Sequence, residues 1–278
     1  MLNRLFALFL VSVMPTTLSA ADAPSKKPLE FEAHRGESHD APENTMAAFK
    51  IAWERADAAE LDVHLTKDGK LIVSHDADTG RVTGGKNKLI IKETTADELR
   101  KLDVGSWKDP KFAGEKLPLL DEVLPTIPAG KRLFIEVKIG PEAIPELVRC
   151  LDRAKKSPEQ TAVIAFNIET AKAAKKALPK IKVYWLANQK QDKETKEWKP
   201  SYASLVAKTK AAGVDGLDFG FNPTFNADSV KAVHDAGLEM YVWTVDDPDK
   251  AKKLAEWGVQ GITTNRAAWL REQVTGKK

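Results

Sequence analysis

Eight short apolar runs, separated by stretches with helical spacing, limit this chain to very few folds. The runs are EFEAH (30–34), AELDV (59–63), RLFIEVK (132–138), TAVIAF (161–166), KVYWLA (182–187), VDGLDF (214–219), LEMYVWTV (238–245) and VQGITT (259–264). Most are continuously apolar rather than alternating, the mark of parallel strands covered by helices. The stretches between them carry helix start and stop signals. Asn44 or Thr45 caps a helix with Met46, Phe49 and Trp53 on its apolar face. Asn226 and Gly237 bracket another, and Asp246 or Asp247 starts one before Pro248 that Gly258 ends. Eight strand–helix units in about 250 residues predict an α/β chain closed into a (β/α)₈ TIM barrel, here over residues 30–272. A doubly wound open sheet is the alternative, but no glycine-rich fingerprint follows the first strand.

One region breaks the rhythm. A turn at Lys67-Asp68-Gly69-Lys70 predicts a hairpin, and TADELRKL predicts a short helix with a capping box from Thr95 to Glu98. Residues 71 to about 120 therefore read as an insertion after the second strand, lying over one barrel mouth.

The N-terminus is of another kind. MLNRLFALFLVSVMPTTLSA has Arg4, an apolar run from Leu5 to Met14 and small residues at Ser19, Ala20 and Ala21. That is the pattern of a secretory signal peptide over residues 1–20, followed by a flexible leader over 21–29. It predicts a secreted or periplasmic protein. No later segment is long and apolar enough for stable membrane insertion. Cys150 is the only cysteine, so no intramolecular disulfide forms, and its helical setting reads as structural. A net charge of +3 with no basic run between aromatics argues against nucleic acid as a partner.

The chemistry begins at ELDVHLTKDGKLIVSHD (60–76). Side chains alternate along a strand, so Glu60 and Asp62 share a face. Two unpaired carboxylates in a packed interior would cost several kcal/mol each, roughly, which places them at the C-terminal rim where barrel sites are built. Held together they repel unless a proton or cation lies between them. FIEVK adds Glu136 and Lys138 on one face of the next core strand. Glu60, Asp62 and Glu136 together are candidate ligands for one divalent cation, Mg²⁺ or Ca²⁺.

Of five histidines, His34 ends the first strand, and the hairpin returns His75 to about the level of Asp62. Two imidazoles beside a metal and an arginine suit general acid–base work on a phosphate ester. Metal ligation by these rings ranks lower, because imidazole matches Mg²⁺ or Ca²⁺ poorly. His39, His64 and His234 read as structural.

AHRGESHDAPENT, ELDVHLTKDGKLIVSHD, LDVGSWKDPKFAGEKLPLLDEVL, FIEVK, VWTV and GITTN follow one another in an order that resembles the glycerophosphodiester phosphodiesterase family, over residues 31–266. The resemblance implies a TIM barrel with a small insertion after its second strand. It implies metal ligation by Glu60, Asp62 and Glu136, acid–base catalysis by His34 and His75, and phosphate binding by Arg35 and Lys138. Trp243 resembles the aromatic that lines the family's substrate pocket; core packing is its other reading. Asn265 stands where an aspartate is frequent and Ala267 where a proline is usual, and VIAFN replaces a more typical serine–phenylalanine ending. These departures are expected to bear on pocket shape and to leave the catalytic set untouched.

The expected activity is metal-dependent hydrolysis of glycerophosphodiesters, such as deacylated phospholipids, to glycerol 3-phosphate and an alcohol. The attacking oxygen is water or a hydroxyl of the substrate glycerol, and either histidine can serve as acid or base. One rival is a related barrel phospholipase acting on intact lipid, of sphingomyelinase D or phosphoinositide type. Another is a non-catalytic protein that binds phosphate esters.

Overall fold

Each of the eight apolar runs forms a strand in the computed structural model, which describes residues 28–276. The signal peptide expected at 1–20 and most of the leader expected at 21–29 lie outside the described residues. The strands are β1 (Glu30–Ala33), β2 (Ala58–Leu65), β3 (Leu71–Val73), β4 (Arg132–Val137), β5 (Thr161–Ala165), β6 (Lys182–Ala187), β7 (Lys190–Gln191), β8 (Trp198–Lys199), β9 (Gly216–Gly220), β10 (Glu239–Trp243) and β11 (Gly261–Thr264). Strands β1, β2, β4, β5, β6, β9, β10 and β11 pair in parallel, and contact between β1 and β2 closes the ring. The fold is thus a (β/α)₈ barrel, not an open sheet.

The outer ring is α1 (Met46–Arg55), α3 (Leu120–Val123, preceded in the insertion by α2, Ala96–Leu99), α4 (Ile144–Ala154), α5 (Ile168–Ala177), α6 (Tyr202–Ala212), α7 (Ala227–Asp235), α8 (Pro248–Trp257) and α9 (Ala267–Thr275). Between the two candidate caps of α1, Thr45 is the one used: its hydroxyl accepts from Ala48 N. Asn44 is freed for another task. Asp247 likewise caps α8, leaving Asp246 free. Among the described residues no helix is long and apolar enough to cross a membrane.

The β2–β3 hairpin forms as the turn signal predicts, with Val63 opposite Val73 and Leu65 opposite Leu71. Beyond it the chain builds a small apolar cluster of its own from Ile72, Val82, Ile91, Leu99, Val104 and Leu117. That cluster stabilises short one-turn elements that have too little helix to stand alone.

The barrel interior is more acidic than expected. Glu32 and Asp218 are buried within it, and neither Asp218 oxygen has a hydrogen-bond partner among the described residues. Burial, then the nearby charge of Glu136, pushes the Asp218 carboxyl up to about 8. Burial thus favours the neutral form of Asp218, and Glu32 is pushed well up by burial while accepting from the Thr263 hydroxyl at 3.0 Å.

Candidate active site

The register of β2 and β4 builds the acidic centre. Asp62 lies opposite Glu136. One carboxylate oxygen each from Glu60, Asp62 and Glu136 fall within 4.8 Å of one another. The acids expected at the rim are buried there, only 3%, 1% and 8% exposed. Such burial is tolerated because they have partners. Asn44 Nδ2 donates to Asp62 Oδ2 at 2.8 Å, and Arg35 N donates to Glu60 Oε2 at 2.9 Å. Lys138 Nζ lies 3.3 Å from Asp62 Oδ1 and 2.7 Å from Glu136 Oε1, while Arg35 Nε lies 3.4 Å from Asp62 Oδ2.

Those partners do not saturate the cluster. Glu60 Oε1 is buried without a hydrogen-bond partner among the described residues. Burial and then Asp62 push Glu136 up to about 7, and burial, Asp62 and Glu136 push Glu60 well above the usual carboxylate range. Burial works the same way on Asp62, but Lys138 and Arg35 outweigh it and hold Asp62 low. Fully ionised, the three carboxylates would exceed the two side-chain cations by one negative charge, which is why burial favours a proton on Glu60 where no cation is bound. An oxygen-only donor set with an orphaned oxygen fits a hard divalent cation.

Arg35 enters the site through a backbone feature. It has a positive φ of 56°, followed by Gly36 at 74°. A Cβ on Gly36 would come within 2.6 Å of the Ala48 Cβ, so the turn against α1 needs glycine. This turn delivers His34 and Arg35 together to the mouth.

The two histidines have different partners. His34 Nδ1 lies 2.7 Å from Asn265 Oδ1, an oxygen that only accepts, so the proton sits on Nδ1 and Nε2 carries the lone pair. Asn265 is oriented by Asp246: Asn265 Nδ2 donates to Asp246 Oδ2 at 2.6 Å and Asn265 N to Asp246 Oδ1 at 2.8 Å. Burial, then the Arg35 charge, lowers the His34 pKa. His75 Nδ1 instead meets a carboxylate, Asp76 Oδ1, at 2.7 Å. Ser74 N bonds Asp62 O at 3.0 Å, so the hairpin brings His75 back within one residue of the Asp62 level.

The expectation that Asn265 leaves the catalytic set untouched is corrected here: its amide oxygen holds His34 directly. Ala267 is buried at the start of α9, and Ala165 ends β5 in the core, both away from these contacts. The three histidines read as structural all have other partners. His64 Nε2 bonds His75 O at 3.1 Å, His39 pairs with Asp40 at 2.8 Å, and His234 meets Gln260 at 3.3 Å.

Trp243 is half-buried, its Nε1 donating to Asp218 O at 3.2 Å. The exposed Phe166 ring stands edge-on to it at 5.5 Å, and Lys138 Nζ lies 6.0 Å from the Phe166 centroid. An aromatic wall thus stands beside the charged centre. Sequence reasoning did not place Phe166, Glu43, Asp76 or Arg81 in the site, and it read Asn44 and Asp246 only as candidate helix caps. Asp76 had a visible signal, its place next to His75; the others become neighbours only through tertiary contact.

A barrel whose mouth joins a buried acid triad, two cations and two oriented imidazoles defines a hydrolase site for phosphoric diesters. The family profile described as glycerophosphoryl diester phosphodiesterase matches residues 34–268, and the chain belongs to that family. It is 35% identical over 240 residues to a glycerophosphodiester phosphodiesterase of Caldanaerobacter subterraneus, covering 84% of this chain and 92% of that one. It is 32% identical to one from Bacillus subtilis, covering 95% of each. Among solved structures, a phosphodiesterase of Oleispira antarctica in complex with its product sn-glycerol-3-phosphate matches with a TM-score of 0.79 at 25% identity, over 88% of this chain and 96% of that one.

Proposed function

We propose that this phosphodiesterase hydrolyses glycerophosphodiesters to glycerol 3-phosphate and an alcohol with a divalent cation, and that His34 is its general base and His75 its general acid. The difference between the two Nδ1 partners carries this division of labour. His34, neutral and bonded to an amide, keeps a lone pair on Nε2 and takes a proton from the attacking oxygen. His75 has the charged Asp76 behind it, which stabilises a proton on the opposite nitrogen. That proton goes to the leaving alkoxide as its bond to phosphorus breaks.

Glu60, Asp62 and Glu136 would hold the cation, which supplies charge to the phosphoryl oxygens as negative charge grows there. With all three acids ionised around it, the centre would carry one net positive charge, the complement of a phosphodiester monoanion. Arg35 and Lys138, already paired to the acids, bind and orient the phosphate. Trp243 and Phe166 shield the apolar face of the substrate from water. The product named in the Oleispira antarctica complex, sn-glycerol-3-phosphate, supports the choice of substrate. The signal-peptide pattern MLNRLFALFLVSVMPTTLSA supports export to the periplasm or beyond.

His34→Ala and His75→Ala should each cut turnover of glycerophosphocholine at least ~100-fold, the usual scale of acid–base catalysis. Near-normal turnover in either variant removes that residue from the mechanism.

A further inference from the structure

We infer that Arg81, in the insertion, is a positioning residue that sets both His75 and Arg35 from a single guanidinium. The inference rests on the roles proposed for those two residues and adds the part that aligns them.

Arg81 spends three donors on two carboxylates. Its Nε donates to Asp76 Oδ2 at 2.7 Å, its Nη1 to Glu43 Oε2 at 2.7 Å and its Nη2 to Glu43 Oε1 at 2.9 Å. Each carboxylate then reaches one member of the site. Asp76 Oδ1 takes the bond from His75 Nδ1 at 2.7 Å. Glu43 Oε1 takes the bond from Arg35 Nη1 at 2.9 Å. Arg81 therefore ties together three chain segments that are otherwise separate: the loop after β1, the end of the hairpin and the insertion.

Electrostatics runs in the same direction. Hydrogen bonding from Arg81, ahead of His75, holds Asp76 at about 2, so it stays ionised. Burial would raise Glu43, but Arg81 and Arg35 reverse that and keep it low. The platform under Arg81 is itself fixed. Thr83 Oγ1 donates to Thr79 O at 2.9 Å, Thr79 Oγ1 donates to Asn87 O at 2.9 Å, and Val82 is buried in the insertion's apolar cluster. A planar fork with three bonds has little rotational freedom left, which lysine's single ammonium could not reproduce. The insertion thus contributes alignment through Asp76 and Glu43.

The test is a double-mutant cycle on steady-state hydrolysis of glycerophosphocholine, using Arg81→Met, His75→Ala, Arg35→Ala and the two pairs. Arg81→Met is expected to lower kcat about 10- to 100-fold, the scale for a group that orients a reacting residue, and to raise KM. In the His75→Ala background the kcat loss should shrink to less than about 3-fold, and in Arg35→Ala the KM rise should do the same. If His75→Ala is impaired yet Arg81→Met costs the same fold in both backgrounds, Arg81 is a structural residue and the inference is overturned. If His75→Ala retains near-normal turnover, the proposed role of His75 falls instead. Thermal melting shows whether each variant is folded. Should Arg81→Met fail to fold, Arg81→Lys replaces it in the same cycle, with a smaller loss that must again vanish with His75.

Discussion

Asp62 and Glu136 face each other in register across β2 and β4, and a single ammonium, Lys138 Nζ, lies 3.3 Å from one and 2.7 Å from the other. That ammonium does not neutralise the centre, because Glu60 adds a third carboxyl with an orphaned oxygen. Asp62→Asn and Glu136→Gln should each weaken Mg²⁺ or Ca²⁺ binding at least ~10-fold by calorimetric titration, since each removes a charged oxygen donor. Unchanged affinity in both variants would place the cation elsewhere.

Substrate pH dependence follows from His34. Burial and Arg35 lower its pKa below 6.5. As a base it works unprotonated, so kcat/KM should climb with pH through an acid limb that lies below that value. Asn265→Asp puts a carboxylate on Nδ1, stabilises the imidazolium and should move the limb up by about one unit. A limb that does not move in Asn265→Asp would assign it to another group.

Asp218 makes a separate prediction about stability. Its folded pKa, about 8, lies above its ordinary 3.8. The folded state therefore holds a proton that the unfolded state releases over this interval, and stability contributed by the neutral acid is lost as pH rises from near 4 through 8. Asp218→Asn cannot ionise. Relative to the parent, it should gain melting temperature steadily from pH 4 to pH 8. A constant difference across that range would mean that Asp218 is ionised in the fold.

The aromatic wall should act on binding more than on chemistry. Phe166→Ala removes the ring that stands edge-on to Trp243 at 5.5 Å. KM for glycerophosphocholine should rise about 3- to 10-fold, the value of a partly exposed aromatic contact, with kcat nearly unchanged. A fall in kcat with KM unchanged would put Phe166 in the transition state rather than at the pocket wall.

What could be read from sequence, and what could not, divides along a physical line. The barrel was legible because parallel strands buried on both faces leave continuous apolar runs, and AELDV and FIEVK advertise acids where apolar residues belong. The hairpin was legible because Asp68-Gly69 is local turn chemistry. The burial of the acids was not, because the sequence argument set their cost without Asn44, Arg35 and Lys138, which reach them from other segments. Asn265 was misjudged for the same reason: its bond to His34 spans most of the chain and has no periodic signature. Glu32 and Asp218 escaped notice because a neutral acid inside a barrel resembles any rim carboxylate until its partners are known.

The most direct measurement is release of glycerol 3-phosphate from glycerophosphocholine by the purified protein, first in EDTA and then with Mg²⁺ or Ca²⁺ restored, with intact phospholipid vesicles run in parallel. Hydrolysis abolished by EDTA, regained with one cation and confined to the deacylated diester is the expected result. Full activity in EDTA, turnover of vesicles instead, or binding of the diester without any release of glycerol 3-phosphate would contradict it.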